Sequence, residues 1–241
     1  MRTEWLILLA VSGMLRAQSY DVVSIRKSPP DGKPASISPG PEGGLRTHNT
    51  PVLTLITDAY NIHDFQVIGA PGWASSQNFD VTFTPDKAEV ASAPSDAKST
   101  LGSASLGRDL LRLQAVLRDR FGLVLRSETR EMPVYNLVVA KGGAKLSTPA
   151  HPGNSNIRSR GGVLTGTDVP VSRFAELLSS VVLRPVRDET RLSGSFDFTV
   201  TTDSDTSVFT ALAEQAGLKL ESARGPVQVF VVEKLQQPSE N

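Results

Sequence analysis

The three histidines are the side chains whose neighbours most readily suggest catalysis. His63 is followed by Asp64 and lies near Asp58, so a carboxylate could orient a general base there, and His48 could approach it in the folded chain. A zinc site would need three or four converging ligands, and the chain has no His-Glu-x-x-His or His-x-His spacing. We therefore favour solvated or structural histidines, His151 included, and assign no catalytic residue, metal ligand or cofactor.

Serine nucleophiles have no better support. The chain lacks a Gly-x-Ser-x-Gly elbow, although Ser95 and Lys98 match the Ser-x-x-Lys spacing in which a lysine lies one helical turn from a nucleophile. Both lie in a segment of low complexity without the partner motifs of such enzymes, so the match indicates no activity. The glycine pairs are turn residues, because no phosphate-loop lysine or Gly-x-Gly-x-x-Gly accompanies them: Gly43-Gly44, Gly142-Gly143 and Gly161-Gly162.

Two aspartates lie in matching strand patterns. Asp80 and Asp197 occur in Phe-Asp-Val-Thr-Phe and Phe-Asp-Phe-Thr-Val, so strand alternation places each carboxylate on the face opposite the phenylalanines. One interpretation is a repeated pair of ligands. The interpretation that we favour is that each carboxylate bonds to a backbone amide or an arginine and fixes the strand register.

Arginines recur in a predicted helix and in the segment after it: Arg108, Arg112, Arg118, Arg120, Arg126 and Arg130. They could form a surface for an acidic partner. They could instead be the solvated face of an amphipathic helix, paired with Asp109, Asp119 and Glu128. We favour the solvated face.

Composition excludes several kinds of partner and chemistry. Lysine plus arginine equals aspartate plus glutamate at 25 each, so no net field attracts the chain to nucleic acid or to anionic membranes. A hydrophobic content of 39% in 241 residues is enough for one large core or two small ones. The absence of cysteine excludes disulfides, thiol catalysis, cysteine-bound metals and a lipoprotein anchor.

Residues 1–17 have the pattern of a secretory signal peptide. Arg2 precedes an apolar run at residues 5–15, and the small Ala17 lies where a signal peptidase would cut. We expect cleavage between Ala17 and Gln18 and a secreted or periplasmic location. A buried N-terminal helix is the alternative. No later segment reaches the length of a membrane span.

Apolar spacing and turn residues predict the elements that follow. Strands are predicted at residues 20–25, 43–49, 65–68 and 78–84, and helices at residues 51–60, 106–121 and 170–182. The first and third of these helices would bury Val52, Leu55, Ile56 and Ala59, and Val171, Phe174, Leu178 and Val181. Residues 28–44 are predicted to be a surface loop, and residues 85–102 a flexible linker or a poorly ordered helix.

The second half of the chain repeats the pattern of the first. In each half a helix is followed by Gly-Leu and a later apolar strand, and we expect a β-hairpin there, with breaks at Pro133 and at Gly225-Pro226. The predicted fold is α+β, with two βαββαββ units whose small mixed sheets are each covered by helices. The units are predicted at residues 18–141 and 161–235, with a linker at 142–160 and a polar tail at 236–241.

Several motifs resemble one uncharacterised, soil-associated bacterial family over nearly the whole mature chain: Tyr20-Asp21-Val22, Thr47-His48-Asn49, Arg118-Asp119-Arg120-Phe121, residues 128–135, Arg184-Pro185-Val186, residues 194–198 and Pro238-Ser239-Glu240-Asn241. The resemblance implies a secreted domain of unknown function with many paralogues, sometimes fused behind membrane-embedded sensor metallopeptidases. In pattern alone, the chain also resembles the small βαβ modules of secretins and TonB-dependent receptors. That resemblance implies binding of partner peptides through sheet edges.

Three functions fit these features. We favour a secreted or periplasmic, non-enzymatic module that binds a peptide, a glycan or an envelope protein, at a sheet edge or between its halves, because no catalytic constellation is evident. The first alternative is a hydrolase whose site combines His63 and Asp64 with His48. The second is a ligand-sensing ectodomain that acts with a separate membrane protein.

Overall fold

The computed structural model describes residues 20–29, 32–40, 44–85, 103–203 and 206–238. The predicted signal peptide and cleavage site, Ser95, Lys98, nearly all of the predicted linker at 85–102 and the last tail residues lie outside this part of the chain. Within it, helices and several small sheets alternate, and the α+β class predicted from the sequence is confirmed.

The described strands are β1 (Tyr20–Lys27), β2 (Ser36–Pro39), β3 (Leu45–His48), β4 (Thr50–Pro51), β5 (Val67–Ile68), β6 (Asn78–Pro85), β7 (Val124–Val139), β8 (Asn156–Arg160), β9 (Val163–Pro170), β10 (Val186–Asp188), β11 (Ser195–Thr201) and β12 (Leu218–Lys234). The helices are α1 (Val52–Tyr60), α2 (Trp73–Ser76), α3 (Ser103–Phe121), α4 (Val171–Val182) and α5 (Val208–Ala211), which continues as a π-helical turn, Leu212–Ala216. A 3-10 turn spans Asp64–Gln66. None of the helices described is long and apolar enough to cross a membrane.

The strands form three sheets. Their orders are β1-β6-β3-β2, with β4 also on β6; β10-β7-β12-β5; and β11-β9-β8. The chain divides into two compact units. The first comprises the described residues within Met1–Asn61, Pro71–Val124 and Lys234–Asn241, and the second those within Ile62–Ala70 and Leu125–Glu233.

The core of the first unit follows directly from sequence periodicity. Alternation along β6 buries Phe79, Val81 and Phe83, each at most 1% exposed, and Phe79 packs edge-on against Phe121 with 5.7 Å between ring centroids. Helix α1 buries the predicted residues at helical spacing: Val52, Leu55, Ile56 and Ala59. Both of these predictions are confirmed.

The core of the second unit is built on α4 and the three-stranded sheet. The Phe174 ring stacks on Phe198 at 4.0 Å, and Gly166 on β9 leaves the space that the Phe198 ring occupies. The predicted inward position of Val181 is wrong, since its side chain is 39% exposed in the last turn of α4.

The β-hairpins predicted after α3 and α5 are also wrong. β7 and β12 are continuous strands of 16 and 17 residues, and they are neighbours in one sheet. A residue before proline is biased toward extended backbone, so Met132 and Gly225 continue their strands instead of turning. The residues of β7 that pair with β10 do not include Pro133, and the residues of β12 that pair with β5 do not include Pro226. Proline is tolerated in a strand where one edge has no partner.

The four-stranded sheet combines segments from both predicted repeats. β5 pairs in parallel with β12, and β10 pairs in parallel with β7. Val67 lies opposite Phe230, and Val186 lies opposite Tyr135. The internal duplication remains a prediction.

Candidate functional site

His48 and Asp80 lie together in the first unit. The Nδ1 atom of His48, on β3, is 3.2 Å from Oδ1 of Asp80, on β6. The same oxygen accepts hydrogen bonds from the Ser28 hydroxyl at 2.6 Å and the Asn49 amide at 2.9 Å. Burial raises the pKa of Asp80, but these bonds outweigh it and hold the pKa below its ordinary value. Because Ser28 donates to the carboxylate, these three side chains lack the serine-to-histidine bond of an activated nucleophile.

His63 has different partners, in the second unit. Its ring stacks on Phe65 at 4.9 Å, and its Nδ1 atom is 3.5 Å from the Ser180 hydroxyl, at the outer limit of a hydrogen bond. The hydrolase hypothesis requires His63 and Asp64 to combine with His48, but the two histidines belong to different compact units and contact different residues. Among the described residues, no group of three or more acidic, histidine or cysteine side chains could hold a metal ion.

The two repeated aspartates bind the backbone at equivalent positions. Asp197 accepts hydrogen bonds from the amides of Asp168 at 2.8 Å and Ala150 at 2.9 Å, and Asp80 accepts one from Asn49 at 2.9 Å. Asn49 and Asp168 have φ values of 50° and 51°, in the left-handed region that few non-glycine residues adopt. The interpretation that each carboxylate bonds to a backbone amide is confirmed, and each bond stabilises a left-handed residue.

Acid should weaken the contacts of Asp197. Hydrogen bonds from the amides of Ala150 and Asp168 hold the pKa of Asp197 below its ordinary value. A carboxyl group whose pKa is lowered by folding stabilises the protein above its unfolded pKa of about 3.9, and this contribution is lost as the pH falls through the folded pKa. We expect Asp197→Asn to be less stable than the wild type at pH 7, and the difference to shrink below about pH 4. Urea unfolding over a pH series measures this, and a pH-independent difference would contradict it.

The arginine-rich run is not one solvated face. Arg112 is 5% exposed and donates a hydrogen bond of 2.7 Å to Asp109 within α3, so the predicted solvated position is wrong for this residue. The predicted pairing of Glu128 is confirmed, because Arg126 and Arg130 both donate to its carboxylate and lower its pKa. These arginines are already paired within the chain.

The β11 edge of the three-stranded sheet is covered. The backbone N–H and C=O of Asp197 exchange hydrogen bonds of 2.9 and 3.0 Å with Ser147. Farther along, the Gln215 side chain bonds to both the N–H and the C=O of Thr201, each at 2.9 Å. Outward backbone groups on β11 are thus bonded from outside the sheet at two positions.

β8 forms the opposite edge, and its outward backbone groups belong to Ile157 and Ser159. Thr201 directs its N–H and C=O away from the sheet. Val163 lies opposite Thr201 on β9, so the N–H and C=O of Val163 point the other way, toward Arg160 on β8. Successive residues of an antiparallel strand face alternate neighbours. The N–H and C=O groups of Ser159 and Ile157 therefore point away from β9.

The turn and side chains of β8 agree with this assignment. Gly161 and Gly162 have φ values of 56° and 78°, as in a two-residue type I′ hairpin. The Ile157 side chain packs against the core of the second unit, whereas Arg158 and Arg160 are exposed. Within the described ranges, no segment outside the sheet hydrogen-bonds to β8, and neither arginine is paired with a carboxylate. β8 presents an open strand edge beside two exposed cations.

This strand lies in the segment predicted to be a linker, residues 142–160. Glycine, serine and proline dominate that segment and hide the signal of a strand. The signal is limited to Ile157 between polar residues and the two-residue Gly161-Gly162 turn that follows. β2 lies in the predicted surface loop at 28–44 in the same way.

Comparison with known proteins gives a family without an assigned activity. No curated protein matches the chain, and no solved structure does. A family model described as "Protein of unknown function (DUF3738)" matches residues 53–235, a range that includes β8, Asp80 and Asp197. Because the match covers more than half of the sequence, the chain belongs to this family, the proteins of unknown function called DUF3738.

Proposed function

We propose that the chain is a secreted or periplasmic, non-enzymatic module that binds an extended peptide segment along β8. The observation that carries this proposal is the asymmetry of the three-stranded sheet, whose β11 edge is bonded from outside while its β8 edge is open. A peptide added beside β8 would hydrogen-bond to the N–H and C=O groups of Ile157 and Ser159, as in β-strand addition. The secreted or periplasmic location in this proposal rests on the predicted signal peptide.

β8 is a better peptide site than the corresponding edge of the first unit. β2 is also an edge strand, but it has four residues and ends at Pro39, which has no N–H to donate. Short edges that contain proline are typical of strands protected against further pairing. β8 has five residues and no proline.

The open groups of β8 also favour a peptide over a glycan. They alternate donors and acceptors at the spacing of a main chain, which a peptide matches along its length. An exposed segment of an envelope protein would supply the same main chain. A sensing ectodomain could use the same contact, so that alternative differs in its downstream partner and not in the site.

Ser159→Pro should weaken peptide binding without unfolding the sheet. Proline removes the outward N–H of Ser159 but leaves the β8–β9 hydrogen bonds, and edge strands tolerate it. With a blocked heptapeptide Gln-Val-Gln-Val-Gln-Val-Thr as the probe, we expect calorimetry to show at least about tenfold weaker binding, because a hydrogen bond is lost and the ring obstructs the edge.

Ser159→Ala is the matched control, since it keeps the N–H and should bind as the wild type does. Circular dichroism checks that both variants are folded. Equal binding by Ser159→Pro and the wild type would exclude β8 as the site. Thermal unfolding with cell-wall fragments, sugars, divalent metals and the peptide tests the ligand class, because a ligand of the folded state raises the Tm. A rise with a sugar or a metal but not with the peptide would overturn the proposal.

A further inference from the structure

We infer that the peptide held by β8 is acidic at alternate positions. This inference rests on the proposed function. Arg158 and Arg160 are separated by one residue, so their side chains project from the same face of β8, roughly 7 Å apart along the strand. Ile157, between Asn156 and Arg158, points to the opposite face and packs against the core. The two cations therefore lie together on the exposed face of the open edge.

The face around these arginines contains no carboxylate at the cross-strand positions. Arg158 lies opposite Thr165 and Arg160 opposite Val163 on β9. On the next strand, β11, the neutral residues Thr199 and Thr201 lie opposite Thr165 and Val163. Within the described residues, nothing in the sheet compensates the two charges.

Three other strand arginines of the second unit are paired with acidic side chains. Arg126 and Arg130 pair with Glu128, and Arg187 is 3.4 Å from Glu189. Each of these acids lies two residues from its arginine along the chain. β8 has the same spacing of polar residues but places arginine at both positions, and a bound chain with acidic residues at that spacing would supply the complementary charges.

A strand paired with β8 would carry side chains directly opposite Arg158 and Arg160. Opposed residues of neighbouring strands have Cβ atoms about 5 Å apart, within reach of a guanidinium and a carboxylate. Two acidic residues separated by one residue would face both arginines at once. The residue between them would point to the face of Ile157 and Ser159, where a small or apolar side chain fits.

The test compares two blocked heptapeptides that differ only in charge. Glu-Val-Glu-Val-Glu-Val-Thr should bind about tenfold tighter than Gln-Val-Gln-Val-Gln-Val-Thr at low ionic strength, because two exposed ion pairs each contribute a few-fold. High salt should remove most of this preference. In Arg158→Gln/Arg160→Gln the preference should disappear, so that calorimetry shows the two peptides binding equally.

Arg126→Gln/Arg130→Gln is the control, since those arginines are paired on another strand and their loss should leave the preference intact. If the two peptides bound the wild type equally, the acidic selectivity would be overturned. The peptide site itself would still stand if Ser159→Pro lost binding of both peptides. A preference that survives in Arg158→Gln/Arg160→Gln would also overturn it. Binding of neither peptide would overturn both the selectivity and the proposed function.

Discussion

Phe174→Ala should lower the free energy of unfolding of the second unit by about 3–5 kcal/mol. The Phe174 side chain is 0% exposed and stacks on Phe198, whose ring fills the space above Gly166. Removing it opens a cavity between α4 and the sheet that carries β8. The surrounding residues cannot collapse into this cavity, because Phe198 is held on the sheet. Urea unfolding followed by circular dichroism gives the change in free energy.

Phe209→Ala is the matched control for this large effect. Phe209 is 39% exposed and makes an edge-on contact with Tyr135 at 5.3 Å. Its removal should cost less, about 1.5–3 kcal/mol, because the partly exposed ring loses some apolar burial and one aromatic pair. If the two variants were destabilised equally, Phe174 would not have the central packing role described above.

Gly217→Ala should destabilise the second unit by about 2–4 kcal/mol, from two effects at one position. Gly217 ends the π-helical turn with a φ of 64°, which is unfavourable for alanine. The added Cβ would also collide with the carbonyl oxygen of Gly143. That segment cannot move aside cheaply, since the Ala140 amide donates to Gly217 at 2.9 Å and the Lys145 amide to Ala216 at 2.8 Å.

Gly194→Ala separates the two effects. Gly194 has a φ of 89°, but no atom lies within 4 Å of the position its Cβ would take. Gly194→Ala should therefore lower the free energy of unfolding only by the cost of placing alanine in a left-handed backbone conformation, about 1–2 kcal/mol. A larger loss for Gly194→Ala than for Gly217→Ala, measured by the same urea titration, would contradict the collision with Gly143.

Local periodicity predicts the elements whose buried faces are continuous in sequence. α1 begins one residue after its predicted start, and β6 extends one residue past its predicted end. In both, burial follows a single period, so neighbouring residues contain the whole signal. Asp80 and Asp197 could be found for a related reason, because the same short pattern occurs twice.

Partners that are distant in sequence could not be predicted in this way. Pro133 and Gly225-Pro226 are typical of turns, but the same residues accept extended backbone when a long strand pairs elsewhere, as β7 does with β12. The open edge of β8 is a property of the whole sheet. It depends on Ser147 and Gln215 covering β11, and neither contact has a signature in the local sequence.

The pairing of β5 with β12 also determines when the second unit can be completed during synthesis. Val67 and Ile68 pair with Phe230 and Val231, which lie far from them in the sequence. Contacts over so long a separation form slowly, because a large loop must close first. The second unit can therefore be completed only after β12 has been synthesised, and the segments made before β12 must wait for it.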